Sequence, residues 1–146
     1  MRFRRLDAVW MSVLVLGALQ PALSAQAAPH AASSTRDGVY TTEQAQQGKN
    51  LYQNQCGMCH GDALEGQGLN SPLAGGEFLS RWTDQTVADL MMKTITMMPA
   101  TDPGTMTPKE TAQVIAYILS ANKFPAGKKD LPTDPQSLEA IRIVKP

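Results

Sequence analysis

An all-α fold is predicted by two features of the sequence: apolar residues recur at helical spacing in three separate stretches, and no stretch shows the strict alternation of a half-buried strand. Size adds a bound. The chain has 146 residues, enough for one domain at most, and shows no internal repeat. Its 13 Lys+Arg balance 13 Asp+Glu, so it lacks the cationic excess that phosphate binding relies on, which argues against a nucleic-acid partner. Two cysteines cannot make a disulfide-dense scaffold, and 42% hydrophobic residues is an ordinary content for a folded chain.

Taken in chain order, residues 1–27 read as a secretory signal peptide. Arg2, Arg4 and Arg5 precede a mostly apolar run from Ala8 to Leu19, then Pro21 and the small-residue end Ala25-Gln26-Ala27. The run is shorter than the roughly 20 residues that span hydrocarbon. The segment holds three arginines and one aspartate, so the remainder carries a net charge of −2. The expected destination is the periplasm. Residues 28–40 are small and polar and read as a flexible lead containing His30.

Thr41 with Gln44 forms a candidate capping box, and Ala45, Gly48 and Tyr52 share one helical face, so a first helix is expected over 42–54. Gly48 costs such a helix about 1 kcal/mol relative to alanine, and close approach by another helix would compensate. The glycine-rich stretch 57–76 reads as loop. A second helix is expected after a Thr83 cap, running through Val87, Leu90, Met91 and Thr94 and ending before Met98-Pro99. Thr107-Pro108-Lys109-Glu110 is a strong helix start, followed by an apolar stripe of Val114, Ile115, Ile118 and Leu119 that ends near Asn122. Residues 125–146 form a proline-rich tail that packs on the 41–124 domain and holds a short helix over 137–143.

The informative motif is Cys56-Gly57-Met58-Cys59-His60, a C-x-x-C-H run of the kind that attaches c-type haem. Two thiols three positions apart can reach the two vinyl groups at one porphyrin edge, while the adjacent imidazole turns under the iron. A plain disulfide would not need the histidine. A thioredoxin-like pair would need a βαβ setting, and structural zinc would need a fourth ligand.

Together with Gly61, Pro72-Leu73, Met98-Pro99 and the late Ala116-Tyr117-Ile118-Leu119 helix, the motif resembles a class I monohaem cytochrome c over about residues 41–122. Phe78-Leu79-Ser80-Arg81-Trp82, Pro103-Gly104 and the 120–127 stretch further resemble periplasmic cytochromes that serve dehydrogenases, including the cytochrome domains of quinohaemoprotein alcohol dehydrogenases. Lys123 departs from the pattern, where glycine is expected between Asn122 and Phe124.

The resemblance implies helices wrapped around one covalent haem c, with the first helix crossing the last where Gly48 and Tyr52 meet Ala116 and Tyr117. It implies Cys56 and Cys59 as thioether positions, His60 as proximal iron ligand, and the Pro72 carbonyl as acceptor of its second ring N–H. Leu73 and Phe78 would pack on the porphyrin, and Arg81 and Trp82 would donate to a propionate. Met98, fixed by Pro99, is the expected sixth ligand. Met106 is the alternative, and Met97 would face away.

The function so implied is a monomeric electron carrier rather than an enzyme. Its donor would be a quinoprotein or flavoprotein dehydrogenase, and its acceptor a terminal oxidase or another cytochrome. The competing readings are a haem enzyme or gas sensor with an open sixth position, and a subunit held in a stable dehydrogenase complex.

Overall fold

The computed structural model describes residues 33–146; the signal-peptide segment 1–27 and His30 lie outside the described residues. Six helices dominate: α1 (Thr42–Gln55), α2 (Gly57–His60), α3 (Gly76–Trp82), α4 (Val87–Met97), α5 (Pro108–Ala121) and α6 (Pro135–Glu139).

The α1 helix starts where Thr41 Oγ1 accepts from Gln44 N at 3.1 Å. The expected capping box is not completed. The Gln44 side chain is buried and turns to the tail, its amide donating to Leu131 O at 3.1 Å and its oxygen accepting from Leu131 N at 2.7 Å. The two strongest starts are full capping boxes, Thr107 with Glu110 at α5 and Thr86 with Asp89 at α4. Thr86 thus caps the helix expected to begin after Thr83, because Thr83 instead ends α3, a helix that the glycine-rich sequence before it does not announce.

The α1 and α5 helices cross at Gly48. A Cβ there would lie 1.8 Å from Gln113 O and 3.0 Å from Val114 N, so only glycine lets the two backbones meet. One turn further along, the rings of Tyr52 and Tyr117 stand 5.3 Å apart. Around this crossing the core gathers Ala45, Val114, Ile115, Ala116, Ile118 and Leu119.

The α5 helix closes with a Schellman motif: Phe124 N donates to Leu119 O and Lys123 N to Ser120 O. Lys123 holds the left-handed position with φ +67°. The geometry expected of a glycine is therefore kept by a lysine.

The lead expected to be flexible is anchored from Ser33 onward. β1 (Ser33–Ser34) pairs in parallel with β2 (Ile141–Arg142), a two-residue ladder where the sequence suggests the end of a helix. Thr35 and Tyr40 are buried, and the Tyr40 hydroxyl donates to Phe124 O at 2.6 Å. Gly38 and Gly127 touch backbone to backbone. Leu131, Leu138, Ile141 and Ile143 of the tail are buried, so both ends of the described chain close over the helical core.

Candidate functional site

The C-x-x-C-H run is itself the α2 turn. Cys59 N and His60 N both reach back to Cys56 O, at 3.1 and 2.9 Å. This winding brings Cys56, Cys59 and His60 to one cavity of about 540 Å³, within the roughly 300–1,000 Å³ of cofactor sites. Cys56 and Cys59 are not joined in a disulfide. Before haem attachment, burial, with a smaller contribution from Cys59, pushes the Cys56 thiol up to about 11.

His60 is oriented by its Nδ1, which lies 2.8 Å from Ser71 O. A carbonyl only accepts, so Nδ1 carries the proton and the Nε2 lone pair is left for a metal. The expected acceptor was the Pro72 carbonyl; the structure uses the preceding residue. Loop 61–75 closes through Gly66 N to His60 O and Leu73 N to Leu64 O, and in that closed form the Ser71 carbonyl is the one that meets the ring. Pro72 and Leu73 remain in the cavity lining.

Two further ties fix the turn. The buried Tyr52 hydroxyl donates to Gly61 O at 2.6 Å, fastening the residue after His60 to α1. Burial, then the nearby Cys56, Tyr117, Glu65 and Asp62, raises the Tyr52 pKa, so this donor keeps its proton. Asn122, also buried, spans the loop and the last helix: its amide donates to Leu73 O and Ile118 O, and its oxygen accepts from Gly75 N. Neither role was read from the sequence. An asparagine at the expected helix end, where its amide can fasten a loop, was the available signal for the second.

Met98 lines the same cavity as the thiols and the imidazole. It is the C-cap of α4, in extended conformation, so its side chain leaves the helical path. Met97 is half exposed and sits beside Lys93 Nζ, 3.5 Å from its sulfur. Met106, the alternative ligand, is not among the lining residues. It is 4% exposed and belongs to the hydrophobic core ahead of the α5 cap.

Arg81 and Trp82 reach the cavity, but Phe78 does not. Phe78 and Trp82 are one helical turn apart on α3, with ring centroids 6.4 Å apart, so Trp82 takes the cavity position and Phe78 is fully buried behind it. Leu90, Val114 and Ile118 add apolar wall, and Lys93, which sequence reasoning passed over, adds a second cation to that of Arg81.

This donor set fits a c-type haem. Two thiols and an imidazole lie in one turn, a soft thioether lies in the same cavity, apolar side chains form part of its wall, and two cations are available to carboxylates.

A family model described as cytochrome C oxidase, cbb3-type, subunit III matches residues 43–118, a span that takes in all but the first residue of α1, the C-x-x-C-H turn, Met98 and most of α5. No curated protein and no solved structure matches the chain.

Proposed function

The chain belongs to the cytochrome c family which that model describes and is a haem-based electron-transfer cytochrome carrying a covalent c-type haem; from this premise we propose that it is a periplasmic carrier with His60 and Met98 as axial ligands. One observation carries the ligand assignment: Cys56, Cys59, His60 and Met98 line a single cavity, while Met106 and Met97 do not.

When bound, the haem supplies a one-electron ferric–ferrous couple. Cys56 and Cys59 hold it through thioether bonds, so it is not lost on reduction or dilution. His60 presents Nε2 because Ser71 O fixes its other nitrogen. Met98 offers a soft sulfur, which favours the reduced state and raises the potential relative to a second imidazole. Leu73, Trp82, Leu90, Val114 and Ile118 would give the porphyrin an apolar wall. Arg81, with Trp82 beside it, takes the propionate role.

Export is supported by the arginine-led apolar run and small-residue end of residues 1–27, and by thiols committed to haem. The donor is proposed as a quinoprotein or flavoprotein dehydrogenase, on the likeness of 78–82 and 120–127 to cytochromes that serve such enzymes. The acceptor is a terminal oxidase or another cytochrome, and an oxidase agrees with the description of the family. A net charge of −2 on residues 28–146 gives little long-range steering, so docking is brief, with the carrier itself a monomer.

Oxidised and reduced absorption spectra with a pyridine haemochrome assay, followed by carbon monoxide addition to the reduced protein, test the reading. A c-type spectrum unchanged by carbon monoxide is expected. Prompt carbon monoxide binding would mean an open sixth position and would overturn the carrier assignment.

A further inference from the structure

We propose that the C-terminal segment 134–144 is a brace that positions Met98, gripping α4 so that the sulfur at its C-terminal end stays on the iron; this rests on the reading of Met98 as the sixth ligand. Because Met98 caps α4, any movement of that helix moves the sulfur. The buried residues of α4 are Val87, Leu90 and Met91, all in its first half, whereas Met97 in its last turn is half exposed. Ile95, nearer the ligand, is only partly buried against the core, so the helix is anchored chiefly at the end remote from Met98.

That anchored half is where the tail takes hold. Both α6 and β2 pack against α4, alongside α5. Leu138, Ile141 and Ile143 are buried, Ile143 completely. The turn joining α3 to α4 contains Asp84 in the left-handed region, φ +70°, and the tail ties it from outside. Asp84 N donates to Ile143 O at 2.9 Å, Ile143 N donates to Gln85 O at 2.8 Å, and Arg142 bridges to Thr86 and donates from its guanidinium to Asp84 O. The tail is itself secured by β1, by Val144 N on Thr35 Oγ1, and by Arg36 on the carbonyls of Lys145 and Pro146. All of this tail lies beyond the 43–118 span that the family shares.

The physical consequence follows from local opening. Met98 leaves the iron when α4 shifts, and the fraction of molecules in that state depends on the contacts that hold the first half of α4. Weakening the tail contacts raises the open fraction without touching the thioethers, His60 or the α1–α5 crossing. An external ligand that needs the open site then binds more tightly in proportion to that fraction.

The experiment uses the full holoprotein in five variants. Ile143→Ala removes buried packing, and Arg142→Ala removes the exposed guanidinium with its tie to Asp84 O and its charge near Asp89 at the start of α4, so one remains readable if the other does not fold. Ala45→Gly, on α1 away from α4, supplies general destabilisation, and Met98→Ala supplies the unligated site. The ferric sulfur-to-iron charge-transfer band and helical circular dichroism are followed against temperature, and imidazole is titrated at 25 °C.

In both tail variants the band is expected to fade at a lower temperature than helix melting, with imidazole affinity raised on the order of ten-fold or more. Arg142→Lys should recover part of the loss. In Ala45→Gly the band and the helices should shift together. If the tail variants behave like Ala45→Gly, the brace is refuted while the ligand stands. If Met98→Ala retains the band, the ligand reading fails, and the brace with it.

Discussion

Gly48→Ala is the substitution whose cost can be worked most directly from the structure. An alanine Cβ would fall 1.8 Å from Gln113 O and 2.4 Å from Gln113 C, both backbone atoms of α5 with no rotamer to change. Reaching the ~3.5 Å of ordinary contact requires the helices to part by ~1.5 Å or to rotate. That displacement loosens the contact between Tyr52 and Tyr117, now 5.3 Å apart, and the buried face carried by Ala45 and Val114. Overpacking of this kind costs about 1–3 kcal/mol, more where the obstruction is backbone. Alanine returns about 1 kcal/mol of helix propensity. The clash dominates because it is with main chain, leaving a net loss of about 2 kcal/mol and a melting temperature lower by roughly 10 °C for a domain of this size. The assay is thermal denaturation of the holoprotein followed by helical circular dichroism. An unchanged or raised melting temperature would show propensity winning and would refute the close crossing.

Lys123→Gly should stabilise the fold by about 1 kcal/mol, since the left-handed position at φ +67° penalises any side chain, and chemical denaturation would show it as a raised midpoint with unchanged slope; a lowered midpoint would contradict the Schellman geometry. The carboxyls of Asp89 and Glu110 are held below their ordinary 3.8 and 4.5 by hydrogen bonds first from the threonine hydroxyl and then from the backbone of their capping boxes. A lowered folded pKa means stability that is fully present above about pH 5 and lost as pH falls through the folded values. Asp89→Asn and Glu110→Gln should therefore be less stable than the parent at pH 7 and converge with it towards pH 3. A gap that persists unchanged at low pH would contradict the boxes.

The parts of the fold that were legible in the sequence are those where a few neighbouring residues suffice. Thr107-Pro108-Lys109-Glu110 carries cap, first-turn proline and capping carboxylate within four positions, and the α5 apolar stripe runs over about two turns. Cys56, Cys59 and His60 are recognisable because their chemistry depends on their spacing, and Gly48 because an expensive glycine in a helix needs a reason. The misses share a different cause. The α3 helix has seven residues and a glycine N-cap without a side-chain hydrogen bond, so no local signal marks it. Ser71 and Pro72 both offer a carbonyl, and loop closure rather than residue type decides which one meets His60. Phe78 and Trp82 look equivalent as cavity walls until their helix is known. The β1–β2 ladder joins residues more than one hundred positions apart through strands too short to show alternation. Gln44 had the spacing of a capping partner but was drawn to Leu131 by the same kind of distant contact.

The central claim is that Met98, rather than Met106, completes the axial pair with His60. It is tested most directly by the sulfur-to-ferric-iron charge-transfer band in the parent protein, Met98→Ala and Met106→Ala. Met98 lies in the cavity, and Met106 lies in the core with 4% of its surface exposed. The band should be present in the parent, absent in Met98→Ala and retained in Met106→Ala, which should lose stability by about 2–5 kcal/mol as a core truncation does. A band that survives Met98→Ala and disappears in Met106→Ala would contradict the assignment.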